Sequence, residues 1–233
     1  MFRQFALTAI AAALTISAPA AAQDIALSPA IESTEATNVE AQQLPIRVSF
    51  DMAEDPENIL LLDLSTGERV AIRLMPAWAP NHIERIKTLT RDGFYDGVIF
   101  HRVIDGFMAQ TGDPTGTGQG SSTLPDMDEE FNFLPHVRGT VSMARADAEN
   151  SANSQFFIVF YPRFALDRRY TNFGRVISNM SAVDSIARGE PPTNPTRVLQ
   201  ASIAADNAPQ AMPQAQRPDE TITLDMLNDA LTE

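Results

Sequence analysis

Residues 100–113, which read F-H-R-V-I-D-G-F-M-A-Q-T-G-D, combine one permanently charged donor with apolar side chains and an amide. Arg102 is followed, after the bend that Gly106 indicates, by Phe107, Met108 and Gln110. Such a set could grip a proline ring and donate a hydrogen bond to the peptide group before it. A guanidinium suits the second task because it stays protonated and presents a rigid fork of N–H groups.

Rotation about an X-Pro bond is slow because amide resonance must be lost, at a cost of about 18 to 20 kcal/mol. The cis and trans forms themselves differ by only about 0.5 to 1 kcal/mol. A catalyst of this rotation therefore needs no nucleophile, metal or general base. It needs an apolar pocket and a donor that favours the twisted amide, and the low dielectric of the pocket strengthens that donor.

Arg102 could also have a purely structural role. A strand over 98–104 would place Val98, Phe100, Arg102 and Ile104 on one face. Arg102 would then lie in an apolar stripe, with its stem over the stripe and its charged head in water. The residues alone leave both readings open.

A second stretch, 142–160, contains S-M-A-R-A and then N-S-Q-F-F-I. Its nearly continuous apolar run from 155 to 160 predicts a strand that is buried on both faces. Alternation places Gln155, Phe157 and Val159 on one face. One face of this strand fills a core, and the other could line a partly polar groove.

In the expected order, the two stretches resemble the active-site motifs of the cyclophilins, the barrel-type peptidyl-prolyl cis-trans isomerases. The resemblance implies rotation of X-Pro bonds in unfolded or flexible exported proteins, with proline-containing polypeptides as partners and no cofactor. It assigns Arg102 as the catalytic guanidinium, and Gln110 as the residue that positions Arg102 and the substrate carbonyl. The substrate-binding residues that it implies are Phe107, Met108, Ala144, Arg145, Ala146, Gln155, Phe157, Leu166 and Tyr170.

The chain departs from the family pattern beside this site. Ala165 precedes Leu166 where many relatives have an aromatic residue, and Phe164 lies one position earlier. The resemblance therefore implies weak inhibition by cyclosporin. Arg145 stands where many relatives have asparagine, and its backbone is expected to make the substrate contact.

Many short apolar runs separated by Gly and Pro turns, with only two helical segments, indicate a mainly β barrel or sandwich. Pro80, the apolar spacing that follows it and Gly93 predict one amphipathic helix, and residues 182–188 predict a second. The resemblance selects a closed eight-stranded antiparallel β-barrel capped by these two helices.

Four segments are predicted along the chain. Residues 1–22 have the charge and apolar run of a signal peptide, although a retained membrane anchor is an alternative. Export to the periplasm would leave a flexible acidic linker (23–56), the isomerase domain (57–206) and an acidic tail rich in Pro, Gln and Ala (207–233). A short strand is possible over 46–50. Residues 221–231 are compatible with either a docking helix or a frayed terminus.

The net charge of −13 argues against nucleic-acid binding and against attachment to an anionic membrane after removal of the signal. Cysteine is absent, which excludes disulfides and thiol chemistry, and the three histidines are too scattered to suggest a metal site. The glycines of G-T-G-Q-G (116–120) lack dinucleotide-loop spacing and predict a mobile surface loop.

A monomer is expected. The alternative function is a proline-peptide binding module or holdase chaperone with little turnover; Arg102 favours the enzyme.

Overall fold

The computed structural model describes residues 45–214, in which eight antiparallel strands form one curled sheet. The strands are β1 (Ile59–Leu64), β2 (Arg69–Leu74), β3 (Arg102–Ile104), β4 (Met108–Thr111), β5 (Thr140–Met143), β6 (Phe156–Val159), β7 (Asn172–Ser178) and β8 (Val198–Ile203). Their order across the sheet is β3-β4-β6-β5-β7-β2-β1-β8. The mainly β, antiparallel architecture predicted from the sequence is confirmed.

The sheet curls until its two edges, β3 and β8, are joined by short bridges rather than by a continuous ladder. Ile99 pairs with Arg197, and Val103 pairs with Gly189. Between them, the backbone N–H of Phe100 donates to the carbonyl of Thr196 over 2.9 Å. The expected barrel closure is therefore made by the segment before β3 and by Val103 of β3 itself, which pair with irregular residues that precede β8.

Two α-helices lie among the described residues. Helix α1 (Pro80–Arg91) begins with proline at its first turn and buries Ile83, Ile86 and Leu89, as its spacing predicts. Helix α2 (Met180–Asp184) begins before the predicted range of 182–188 and ends within it. Its start is set by Asn179, whose side-chain oxygen accepts a hydrogen bond from the N–H of Ala182.

Alternation along β6 divides its side chains between two apolar clusters. Phe156, Ile158 and Phe160 belong to the main core inside the curled sheet. Phe157 and Val159 belong to a smaller cluster on the outer face, together with Met108 of β4. The two-sided burial predicted for this strand is confirmed.

The predicted alternation over 98–104 is wrong. Phe100 and Val103 both belong to the main core, although a regular strand would place them on opposite faces. The regular strand begins only at Arg102, because residues 99–100 pair with the irregular segment around Arg197. Arg102 therefore shares a face with Ile104 of the outer cluster but not with Phe100.

The described part of the predicted flexible linker is attached to the domain. The guanidinium of Arg73, only 4% exposed, donates to the backbone carbonyls of Asp51 and Glu54, each over 2.6 Å. The indole N–H of Trp78 donates to the carbonyl of Pro45 over 2.8 Å. Residues 46–50 form no strand. The predicted segment boundaries stay predictions, and the predictions for residues 1–44 and 221–231 lie outside the described residues.

Candidate active site

Strand register lines up the predicted catalytic residues in one row across the sheet. Arg102 of β3 lies opposite Gln110 of β4, and Gln110 lies opposite Phe157 of β6. Phe157 in turn lies opposite Ser142 of β5. Directly opposed residues in an antiparallel sheet point to the same face, so these strands place a donor, an amide and an aromatic ring side by side.

A cavity of about 120 Å³ opens on this outer face. It is lined by nine residues, every one of them predicted from the sequence: Arg102, Phe107, Met108, Gln110, Ala144, Arg145, Phe157, Leu166 and Tyr170. Five of the nine side chains are apolar, and Arg102, Gln110, Arg145 and Tyr170 bring polar groups to the cavity. The cavity has the composition expected of a site for a small apolar ring next to a peptide group.

The two remaining predicted residues, Ala146 and Gln155, line an adjoining and larger cavity of about 390 Å³. The two cavities share Gln110, Ala144 and Arg145 as their common border. Polar groups dominate the larger cavity, whose wall includes Asp126. All eleven predicted site residues thus surround one continuous pair of cavities.

The Phe157 ring forms the floor of the smaller cavity and is only 5% exposed. Tyr170 meets it edge to face, with the ring centroids 5.6 Å apart. Below, the imidazole of His136 stacks against it at 6.3 Å. These contacts leave the Phe157 ring little freedom to change rotamer.

His136 is held from both ends, a feature that the sequence analysis missed. Its Nδ1 lies 2.8 Å from Oδ1 of Asp167, and its Nε2 lies 2.8 Å from the hydroxyl of Ser142. Burial lowers the pKa of His136 even though Asp167 acts in the opposite direction. Ser142, His136 and Asp167 are connected in the same order as the catalytic triad of a serine hydrolase. Ser142 is fully buried, however, so no substrate can reach it. The chain of bonds instead supports Phe157.

The Gln110 side chain forms no hydrogen bond with Arg102 among the described residues, which corrects part of its predicted role. Its amide N–H donates to the side-chain carbonyl of Gln155 over 2.8 Å. The Gln155 amide donates in turn to the backbone carbonyl of Gly120 over 2.8 Å. Gln110 is therefore fixed toward the border of the two cavities. The guanidinium of Arg102 is instead bound by Glu190, which the sequence analysis did not single out.

The glycine-rich loop that receives Gln155 is tied to Asp113 by hydrogen bonds, which favours a fixed loop over the predicted mobile one. The carboxylate accepts hydrogen bonds from the backbone N–H groups of Thr115, over 2.7 Å, and Gly118, over 2.6 Å. Burial alone would raise the pKa of Asp113, but the hydrogen bonds outweigh it and lower the pKa to about 2. The carboxylate is thus ionised at neutral pH and anchors one wall of the larger cavity.

The side chain of Arg145 is used within the protein. Its guanidinium donates to the carbonyls of Arg169 and Asp147, over 3.0 and 2.9 Å, and lies 5.0 Å from the ring centroid of Tyr170. This arrangement is compatible with the expected substrate contact through the Arg145 backbone, which stays a prediction. Phe164 is 63% exposed and does not line the smaller cavity, so it does not replace the aromatic residue missing at Ala165.

Within residues 45–214, no group of three or more His, Asp or Glu side chains is placed to hold a metal ion. The same residues contain no helix that is both long and apolar enough to span a membrane.

Comparison with known proteins gives one consistent result. Residues 61–203 match the family model described as "Cyclophilin type peptidyl-prolyl cis-trans isomerase/CLD". A Brucella suis protein named "Probable peptidyl-prolyl cis-trans isomerase" is 47% identical over 170 residues, which cover 66% of this chain and 86% of that protein. A Schizosaccharomyces pombe peptidyl-prolyl cis-trans isomerase is 37% identical over 60% of this chain and 95% of its own length.

Solved structures agree with the fold. The crystal structure of cyclophilin AquaCyp293 from Hirschia baltica has a TM-score of 0.61 at 29% identity and covers 74% of this chain and 85% of its own. A Cryptosporidium parvum cyclophilin-type isomerase, crystallised in the presence of the dipeptide Ala-Pro, has a TM-score of 0.58 at 28% identity. That match covers 62% of this chain and 98% of the other.

Proposed function

This chain belongs to the cyclophilin-type peptidyl-prolyl cis-trans isomerase family, and from that premise we propose that Arg102 and the cavity beside it catalyse the rotation. The chain is an isomerase that binds proline-containing peptides. The observation that carries the assignment of the site is the single cavity of about 120 Å³, lined by Arg102 and eight other predicted residues.

In the proposed mechanism the proline ring enters the apolar cavity and lies over Phe157. The buried, closely packed Phe157 and Met108 hold the ring while the residue before proline turns. The Arg102 guanidinium donates a hydrogen bond to the substrate imide, which favours the twisted form in which the nitrogen lone pair is no longer delocalised. No bond is made or broken, because the reaction is a rotation.

Gln110 and Gln155 would bind the peptide backbone at the border of the two cavities. Both are oriented before substrate arrives, since Gln110 donates to Gln155 and Gln155 donates to the Gly120 carbonyl. Groups that are fixed in advance lose little entropy on binding and act without reorganisation in the transition state.

Exchange NMR on a short Ala-Pro peptide tests this proposal. Catalytic amounts of the protein should bring cis-trans exchange from its uncatalysed time of tens to hundreds of seconds to well below about one second. In an isotope-labelled protein, the NMR signals of residues that line the smaller cavity should shift on titration with the peptide, whereas those of Phe160 in the main core should not. Binding without faster exchange would instead identify a holdase or peptide-binding module.

We also propose that the chain acts on exported proteins in the periplasm, as a monomer, after cleavage following Ala22. The support is the sequence of residues 1–22, with Arg3 before an apolar run and small residues at its end. Cell fractionation and mass spectrometry of the purified chain test this: the periplasmic form should begin at Gln23. A Leu14→Arg variant, which interrupts the apolar run, should stay uncleaved in the cytoplasm. A full-length wild-type chain in the membrane fraction would contradict cleavage and support an anchor.

A further inference from the structure

Backbone pairing places Glu190 directly beside Arg102. Val103 and Gly189 exchange two backbone hydrogen bonds, of 2.8 and 3.0 Å. In an antiparallel bridge of this kind the next residues on each side, Arg102 and Glu190, also lie opposite each other. Gly189 has a φ of 145°, and a Cβ at this position would lie 2.5 Å from the Cα of Pro192. The turn therefore depends on glycine and holds Glu190 in place.

The two side chains form a charge-assisted hydrogen bond. Nε of Arg102 donates to Oε2 of Glu190 over 2.7 Å. This is the one side-chain hydrogen bond of Arg102 within residues 45–214. Because it uses Nε, both terminal nitrogens of the guanidinium are left for the substrate.

Glu190 takes the orienting role that the sequence assigned to Gln110. Although Gln110 lies directly across β4 from Arg102, its side chain is bound to Gln155. In the described part of the chain, Glu190 is thus the side chain that favours one orientation of the guanidinium at the end of its long stem. An arginine without such a partner would sample many rotamers, and few of them would point a donor at the imide.

The carboxylate could also act against catalysis, because it neutralises part of the positive charge that stabilises the transition state. Exposure decides between the two effects. The Arg102 and Glu190 side chains are 41% and 53% exposed, so water screens their attraction strongly. An exposed ion pair of this kind shifts an equilibrium by about 1.5- to fivefold. That bias is enough to favour one rotamer, yet too small to withhold the guanidinium from a bound peptide.

We propose that Glu190 is a positioning residue, which holds Arg102 through Nε so that its terminal nitrogens face the proline cavity. The inference rests on the proposed catalytic role of Arg102. Because the apolar walls do not involve Glu190, its loss should lower kcat and leave KM nearly unchanged.

The test measures kcat and KM on a proline tetrapeptide for Glu190→Ala and Glu190→Gln. We expect Glu190→Ala to lower kcat by about 1.5- to fivefold. Glu190→Gln, of equal size and with an oxygen that still accepts from Nε, should recover about half of that loss on a logarithmic scale. A matched control is Asp105→Ala, which removes a nearby carboxylate that pairs with Arg188 over 3.2 Å and lies outside the cavities. It should isomerise at the wild-type rate.

A double-mutant cycle separates positioning from a general effect. In an Arg102→Ala background, Glu190→Ala should cause no further loss of kcat. Wild-type kcat in Glu190→Ala and Glu190→Gln would overturn the inference, as would an increase in kcat, which would mean that the carboxylate damps the guanidinium. An equal loss in the Arg102→Ala background would also overturn it. A wild-type rate in Arg102→Ala alone would refute the proposed mechanism itself.

Discussion

Removal of the Phe157 ring should cost both stability and proline binding. The ring is only 5% exposed, packs edge to face with Tyr170 and stacks on His136. Phe157→Ala deletes these contacts and leaves a void above His136, which is held by two hydrogen bonds and cannot move far to fill it. Buried phenylalanine-to-alanine changes cost about 3 to 5 kcal/mol, of which each aromatic contact supplies about 0.5 to 1.5 kcal/mol.

Urea unfolding at 25 °C, with an unchanged m-value, measures this loss. Phe164→Ala is the matched control, because this phenylalanine is 63% exposed and should change the free energy of unfolding by less than about 0.5 kcal/mol. In tetrapeptide assays Phe157→Leu, which keeps more of the packing, should raise KM more than it lowers kcat. A loss below about 1 kcal/mol in Phe157→Ala would show that the ring is not the packed floor described above.

Three further predictions concern pH, the Asp113 loop and an inhibitor. Burial lowers the pKa of His82, His101 and His136 from 6.5, so the unfolded chain binds more protons than the folded one between those lowered values and 6.5. The protein should therefore be fully stable above about pH 6.5 and lose stability as the pH falls through this window. Equal free energies of unfolding in urea at about pH 7.5 and about pH 5.5 would contradict this. Asp113→Ala should lower the free energy of unfolding by about 2 to 4 kcal/mol in the same assay, because it leaves backbone N–H groups of its loop without their charged acceptor. A loss under about 0.5 kcal/mol would show that Asp113 does not anchor this loop. Cyclosporin should inhibit weakly and Ala165→Trp should strengthen inhibition, whereas nanomolar inhibition of the wild type would show that another group supplies the missing contact.

The catalytic row could be predicted because its members lie in two short motifs, each of which has a local pattern, and the resemblance brings the two motifs together. Arg102 and Gln110 belong to one hairpin, and the alternation of Gln155, Phe157 and Val159 follows from a short strand with two buried faces. Local pattern and resemblance together were therefore enough to collect the residues that line the two cavities. Helix α1 was predictable for the same reason, since its proline, apolar spacing and closing glycine are all local signals.

The groups that hold this row in place were not predictable, because they are distant in sequence and have no periodic signal. Glu190 follows a glycine turn nearly ninety positions after Arg102 and reaches it only through barrel closure. His136 is supported by Asp167, thirty-one positions away. The order of the glycine loop depends on the single carboxylate of Asp113, which composition alone did not indicate.

The attachment of residues 45–55 to the domain could likewise not be predicted from the sequence. The segment lacks apolar periodicity and was predicted to be a flexible linker. Its carbonyl groups are nevertheless bound by the buried guanidinium of Arg73, a residue that the pattern of β2 marks only as one polar position in a strand. A side chain that satisfies several distant carbonyls is recognised only once the tertiary fold is known.

The catalytic role of Arg102 is tested most directly by kcat/KM of Arg102→Ala on a proline tetrapeptide. The variant should remain folded, because the Arg102 side chain is 41% exposed and makes one hydrogen bond among the described residues. We expect kcat/KM to fall by about 100-fold or more, which corresponds to about 3 kcal/mol of transition-state stabilisation. Arg102→Lys should restore little, since an ammonium lacks the planar fork. A folded Arg102→Ala protein that isomerises the peptide at the wild-type rate would contradict the mechanism and leave Arg102 as a cover for the apolar surface.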